Sequence, residues 1–317
     1  MRGWARRALV SALVIVMMIT SAGFWLYDET SAQQGEYQLP RPSGVTISPP
    51  LSDITLGSGL LTATTDIFLT NNTESDLRAN VRFVDFTSLG ELGGVSLDRE
   101  GASKSKYGLA SQMRVEGATE GILLPRGQVT KLPILIDNST DLAPGGHYGA
   151  ALVGLSDATQ SSGSNVSVRQ ELVSLFFVKK QGGEQYGLDL QDLAVDNPRA
   201  LPDKVTMRFA NTGNVHVVPR GYVEVTDPGG KLIAKGIINP ESTLVMPEST
   251  RQFVSLLQPV ASSNVPGVYR VTAYYRYDGQ EKFSSRSIEI SRWSMIYAPV
   301  LAAGASTTIL CLVLWKT

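Results

Sequence analysis

The sequence predicts an all-β protein built from two tandem Ig-like β-sandwiches, and three observations carry that expectation. Apolar residues alternate with polar ones at period two through the middle of the chain, turn residues interrupt them at short intervals, and the two halves repeat each other's landmarks. Val205, Met207 and Phe209 alternate with Thr206 and Arg208 until Asn211, Thr212, Gly213 and Asn214 break the run. Val223 and Val225 alternate with Tyr222, Glu224 and Thr226 until Asp227, Pro228, Gly229 and Gly230 break it again. Asp278-Gly279 falls between Tyr277 and Phe283, where a tight hairpin needs positive φ and this dipeptide supplies it. Short strands spaced in this way suit a sandwich.

The repeat is specific. The first half holds Phe68-Leu69-Thr70-Asn71, then Leu124-Pro125, then Pro144-Gly145-Gly146-His147-Tyr148. The second holds Phe209-Ala210-Asn211, then Met246-Pro247, then Pro266-Gly267-Val268-Tyr269. Pro125 to Pro144 and Pro247 to Pro266 are both 19 positions apart. Each half should therefore contain a strand, an Asn turn, a proline-led strand and a Pro-Gly corner with a Tyr opening a central strand. The first half is longer between Asn and proline by about 18 residues, placed within residues 90–109. A Tyr after such a corner can bury its ring and return its hydroxyl to nearby backbone, so Tyr148 and Tyr269 are expected as tyrosine corners.

Taken in order, residues 1–32 read as a signal peptide or signal anchor. Arg2, Arg6 and Arg7 precede an uncharged stretch over 8–27, with small residues ahead of a cleavage point after Ala32. Residues 33–44 form a spacer, 45–180 the first sandwich, 181–185 a polar linker and 186–291 the second sandwich. Residues 293–315 are uncharged and flanked by Trp293, Tyr297 and Trp315, which suits a transmembrane helix with aromatics at both interfaces. Residues 316–317 would be the cytoplasmic tail, too short for a signalling module. The N-terminal arginines place the middle of the chain outside the membrane. Residues 156–166, rich in Ser, Gly and Asn, should be a loop between two strands.

Chemistry is sparse. With 28 basic and 29 acidic residues the net charge is −1, which provides no field for nucleic acid. The lone Cys311 excludes disulfide frameworks, Cys-based zinc sites and a thiol nucleophile in a water-facing domain. No nucleophile elbow, metalloprotease helix, phosphate loop or dinucleotide fingerprint is present, so no enzyme, cofactor or metal is expected. His147, at a strand entry, reads as a structural histidine rather than a ligand, and His216, among valines, as a residue on a sheet face. Asn71 and Asn211 could contact sugars, but at strand ends they read better as turn-closing residues. The surface that suggests a partner is the strand after Gly267. With Tyr269, Val271, Ala273 and Tyr275 inward, Arg270, Tyr274 and Arg276 share the outer stripe, and Tyr and Arg dominate binding hot spots.

These pieces together resemble the WxL-interacting protein family of Gram-positive cell surfaces. The resemblance rests on Leu124-Pro125, on Asp141-Leu142-Ala143-Pro144-Gly145-Gly146-His147-Tyr148-Gly149-Ala150, on Tyr107-Gly108-Leu109-Ala110-Ser111, and on the stretch from Phe209 through Asn211 to His216. It covers about residues 45–315, and the tail is shorter and less basic than the family pattern. The resemblance implies a first domain that binds peptidoglycan, a second that binds host or partner proteins, and WxL-domain proteins as associates; no ligand-contacting residue carries over. The leading expectation is thus a membrane-anchored, extracytoplasmic, non-enzymatic binding or scaffold protein attached to cell-wall polymer or another surface protein. The alternative is a two-domain assembly chaperone of the cell envelope that lends a strand to subunits with exposed edges. A fixed C-terminal anchor argues against that alternative, since such chaperones travel. An envelope enzyme without a recognisable motif is a third reading.

Overall fold

The computed structural model describes residues 44–101, 105–117, 119–157, 170–197 and 200–292. The expected signal segment, the expected transmembrane segment and most of the 156–166 loop lie outside the described residues. Everything described is β-structure or turns, apart from one 3-10 turn at Ala110–Gln112.

The first sandwich uses β1 (Val45–Ser48), β2 (Leu51–Leu56), β3 (Thr62–Asn71), β4 (Leu77–Leu89), β5 (Gly94–Leu97), β6 (Met113–Val115), β7 (Ile122–Leu124), β8 (Val129–Asp137), β9 (Gly145–Asp157) and β10 (Glu171–Lys180). One sheet runs β1-β3-β8-β6 and the other β2-β10-β9-β4-β5, with β7 also on β4. All pairings are antiparallel except β2 with β10. The chain leaves the first sheet after β1 and enters the second at β2 through Pro49 and Pro50, which have no N–H to continue either ladder. Between the sheets, Ile67, Leu69, Ile134 and Ile136 pack against Val81, Ala151, Val153, Phe176 and Val178. Each such side chain is worth about 1.5–3 kcal/mol of burial.

The second sheet is buried on its other face as well. Val84, Phe86, Tyr148, Ala150, Leu152 and Phe177 form a second apolar layer there, which Met246 of the second sandwich joins. This explains why β9 is buried continuously from Gly145 to Val153 instead of alternating.

The second sandwich uses β11 (Leu188–Ala194), β12 (Lys204–Asn211), β13 (Arg220–Thr226), β14 (Leu232–Ile238), β15 (Thr250–Pro259), β16 (Val268–Arg276) and β17 (Ser284–Ser291). They form one ladder, β11-β12-β15-β14-β13-β16-β17. Strand β15 pairs with β12 as far as Leu256 and with β14 from Leu257 onward, so the ladder folds over itself there. Phe209, Val205, Val223, Val225, Tyr269 and Val271 fill the space between. Arg286 of β17 donates to the carbonyls of Leu190 and Gln191 at the bulge of β11, tying together the two outer strands.

Asn71 and Asn211 occupy the same place in the two sandwiches and do the same work. Asn71 Nδ2 donates to Ser75 O and Leu124 O, while its Oδ1 accepts from Thr73 N–H. Asn211 Nδ2 donates to Val215 O and Val245 O, while its Oδ1 accepts from Gly213 N–H. Both are buried. A side-chain amide thus supplies the turn with the donors and acceptor that the ending strand no longer offers.

Candidate interaction site

The junction between the sandwiches is built from residues that the sequence does not advertise. His216 lies in the turn after β12 and is fully buried, its ring edge-on to Tyr148 and Phe177. Its Nδ1 is 3.3 Å from Tyr148 Oη, and its Nε2 is 3.3 Å from Asp53 Oδ1 on β2. A neutral ring with its proton on Nε2 satisfies both, accepting from the phenol and donating to the carboxylate. Burial pulls the His216 pKa below its ordinary value, partly opposed by Asp53, and pushes the Tyr148 phenol far up. The hydrogen bond from His216 holds Asp53 below the usual carboxylate range.

The extra residues of the first half form a brace across the same junction. The turn between β4 and β5 places Glu91 against β15 and β12. Arg208 Nε donates to Glu91 Oε2 at 2.7 Å, with a second bond from the guanidinium to Oε1, and Gln252 N donates to Glu91 O at 2.7 Å. Gly93, at φ +85°, lets the turn lie flat on the Arg251 guanidinium, which a Cβ would strike at 2.2 Å. Lys106 pairs with Glu248 farther along. Asp85 Oδ1 accepts from the N–H groups of Leu109 and Ala110 at 2.7 Å, pinning the returning segment to the first sandwich. The insertion itself shows in the sequence as a length difference; its partner surface does not.

The Pro-Gly corners place their residues differently in the two halves. Gly145 and Gly267 both adopt positive φ, +130° and +141°, after Pro144 and Pro266. Tyr269 Oη donates to Val265 O at 2.7 Å, four residues upstream. Tyr148 departs from the expected local bond, because its hydroxyl turns to His216 across the junction. Gly146 faces that hydroxyl at 2.3 Å from a would-be Cβ, and its N–H donates to Asn214 O of the second sandwich at 2.8 Å. His147 places Nε2 2.7 Å from Ala143 O and Nδ1 3.2 Å from Gly108 O, so both ring nitrogens face backbone carbonyls. His216, expected on a sheet face, sits in the turn after β12 at the junction. Among the described residues no group of three His, Cys, Asp or Glu side chains could hold a metal.

The expected partner stripe is split. Arg270 pairs with Glu289 at 3.3 Å, whereas Tyr274 and Arg276 lie toward the other end of β16 beside Tyr222 and Phe283.

Among the described residues, the first sandwich has an open backbone edge. Strand β9 pairs with β10 along Glu171–Lys180, but β2 covers the other side only from Leu175 onward. Leu175 N–H donates to Pro50 O, and Ser174 Oγ donates to Pro49 O. Strand alternation turns the N–H and C=O of Glu171 and Val173 the same way as those of Leu175. Among the described residues no strand takes them up. Leu172 and Val173 are half-buried there, one toward each apolar layer, and Glu171 is held by Arg82 at 3.1 Å and by Arg99.

No family model matches the chain, and no curated protein does. Similar solved structures include the class 5 fimbriae chaperone CfaA, at 10% identity over 77% of this chain and 98% of that one, TM-score 0.42. The CsuC–CsuE chaperone–tip subunit pre-assembly complex of Acinetobacter baumannii matches at 11% identity over 79% and 99%, TM-score 0.38. The periplasmic chaperone SfaE matches at 13% identity over 78% and 98%, TM-score 0.34.

These findings correct the leading expectation. The three solved structures just named are chaperones, one of them described as periplasmic and one as assembled with a tip subunit, and none is described as a wall-binding or WxL-associated surface protein. The expected peptidoglycan and WxL-domain partners, and the membrane-anchored cell-surface assignment, are not what these comparisons return. Among the described residues no helix is long and apolar enough to cross a membrane. Physically, the polar side chains that could have met a glycan, Asn71 and Asn211, are buried and spent on backbone groups.

Proposed function

We propose that the chain is a non-enzymatic, two-domain assembly chaperone of the cell envelope, which holds a client polypeptide by strand addition along the open edge of β10. The observation that supports this reading is the unpaired side of Glu171–Ser174. There the parallel ladder with β2 stops at two prolines and leaves main-chain donors and acceptors beside half-buried Leu172 and Val173. Strand addition uses those groups for affinity and alternate side chains for selection. The braced junction sets the angle at which the second sandwich stands beside a bound client. The WxL-type resemblance contributes nothing to this reading beyond the sandwich order.

Site-specific photo-crosslinking in intact cells tests it. A photoreactive side chain at Val173 should yield one discrete adduct with an envelope polypeptide, and the same group at exposed Lys131 on β8 should not. No adduct at Val173, or the same adducts from both positions, would overturn the reading.

A further inference from the structure

The outer face of the second sandwich carries a row of side chains that crosses β14, β13 and β16 and reaches the start of β17. Register sets Ile237 opposite Tyr222 and Tyr222 opposite Tyr274. Phe283, just ahead of β17, completes the row with its ring centre 5.8 Å from that of Tyr222. The Tyr222 and Tyr274 rings stand 5.1 Å apart. Ile237 is 64% exposed and Phe283 47%, so this apolar surface faces solvent.

Two residues along, Arg220 lies directly opposite Arg276. Like charges in that position repel and cost the sheet stability. Arg220 is answered by Asp278 at 3.0 Å. Arg276 has no carboxylate within ion-pair distance among the described residues, and its guanidinium sits 5.3 Å from the centre of the Phe283 ring. A guanidinium left over beside exposed aromatics is an arrangement that a carboxylate ligand would relieve.

We propose that this row docks an extended peptide segment in which aromatic or apolar side chains alternate with carboxylates. A sugar suits it less, because the ring faces that would stack on one are taken. Lys235 Nζ lies 4.2 Å over Tyr222, Arg276 covers Phe283, and the two tyrosines face each other at a 31° tilt. What remains is Ile237, ring edges, phenol hydroxyls and a guanidinium, which match apolar side chains and carboxylates. Arg270 takes no part, since Glu289 neutralises it. This docking face is independent of strand addition at β10.

Fluorescence anisotropy of the full chain with three labelled nonapeptides decides the matter. The first alternates phenylalanine with glutamate, the second carries lysine in place of glutamate, and the third serine in place of phenylalanine. The first probe should bind. Its affinity should fall at least about tenfold in Arg276→Glu and in Phe283→Ser, fall as salt rises from about 0.05 to about 0.5 M, and stay unchanged in Arg270→Glu. Unaltered thermal midpoints show that the variants fold. Equal binding of the lysine or serine probe, unchanged affinity in Arg276→Glu, or no binding of any probe would overturn the proposal. So would chitohexaose binding that Arg276→Glu abolishes, or concentration-dependent self-association that it abolishes, because the face would then belong to a sugar or to a second copy.

Discussion

Tyr148 of the first sandwich and His216 of the second meet as buried side chains, with the phenol oxygen 3.3 Å from Nδ1, whereas Tyr269 spends its hydroxyl on Val265 O at 2.7 Å within its own domain. Two tyrosines from one repeated motif therefore stabilise different things. Tyr269→Phe should cost about 1–2 kcal/mol through a lost buried bond. Tyr148→Phe should cost about 1–3 kcal/mol because it leaves the His216 acceptor unpaired in a buried site. The discriminating measurement is a double-mutant cycle by urea unfolding. Tyr148→Phe and His216→Gln should be non-additive by more than about 0.5 kcal/mol, and Tyr269→Phe and His216→Gln should add. Additivity in both cycles would remove the junction bond from the account.

Acid should loosen the same junction. His216 is buried neutral with a lowered pKa, so on unfolding it takes up a proton at any pH below its ordinary value of 6.5 and above its folded value. In that window the unfolded chain binds more protons, and stability falls as pH falls, by at most about 1.4 kcal/mol per pH unit for one proton. Asp53, also lowered, adds a loss of the same sign below its ordinary 3.8. Unfolding free energies between about pH 7 and pH 5 should decline in the wild type and flatten in His216→Gln. Parallel slopes in the two proteins would contradict the assignment of His216 as the buried neutral partner.

The two Asn turns offer a test that spans both sandwiches. Asn71→Ala orphans the carbonyls of Ser75 and Leu124 and the Thr73 N–H, and Asn211→Ala orphans the carbonyls of Val215 and Val245 and the Gly213 N–H. Each substitution should destabilise the protein by about 2–4 kcal/mol, since buried backbone groups lose their partners without replacement. Calorimetry should show the two losses adding, because the sites share no neighbours. A cost below about 0.5 kcal/mol at either position would mean that water replaces the amide.

Period-two alternation, the Asn turns and the Pro-Gly corners were legible because each depends on a few adjacent residues, and local geometry follows local sequence. Alternation predicts one buried face per strand, and it holds for β16, where Tyr269, Val271 and Ala273 turn inward. It fails for β9, whose second face is covered by residues about 70–100 positions away in the chain, His216 and Met246 among them. Nothing in a run of valines around a histidine reveals whether another domain lies over it. The open edge of β10 was hidden for a related reason: Pro49 and Pro50 are visible, but which strand they leave unpaired depends on a sheet switch over 120 residues long in sequence. Arg270 and Arg276 look alike on the strand and differ through their cross-strand neighbours, Glu289 for one and Phe283 for the other.

The brace makes a prediction about motion. Glu91 and Arg208 are partly exposed, and such pairs stabilise little in water. Glu91→Ala should therefore leave the thermal midpoint nearly unchanged while freeing the turn between β4 and β5 from β15. Hydrogen exchange should rise at the Gln252 amide, which donates to Glu91 O, and small-angle scattering should report a wider spread of interdomain angles. Unchanged exchange at Gln252 together with an unchanged scattering profile would show that the apolar layer around Tyr148 and Met246 fixes the angle alone.

Gly221 supports the outer aromatic row through the backbone. A Cβ at this position would stand 1.9 Å from Tyr274 O and 2.9 Å from Tyr275 Cα, both backbone atoms that cannot swing aside. Gly221→Ala must therefore push β13 away from β16 over the stretch where Arg220 pairs with Arg276 and Tyr222 with Tyr274. The expected cost is about 1–3 kcal/mol, in the range of overpacked interior positions. The phenol rings should separate as well, so the Tyr222 and Tyr274 ring resonances should shift while those of Tyr148 in the first sandwich stay in place. A folded Gly221→Ala protein with wild-type stability and an unmoved Tyr222 resonance would show that the strands can part without cost, and that the close approach of β13 to β16 does not hold the row together.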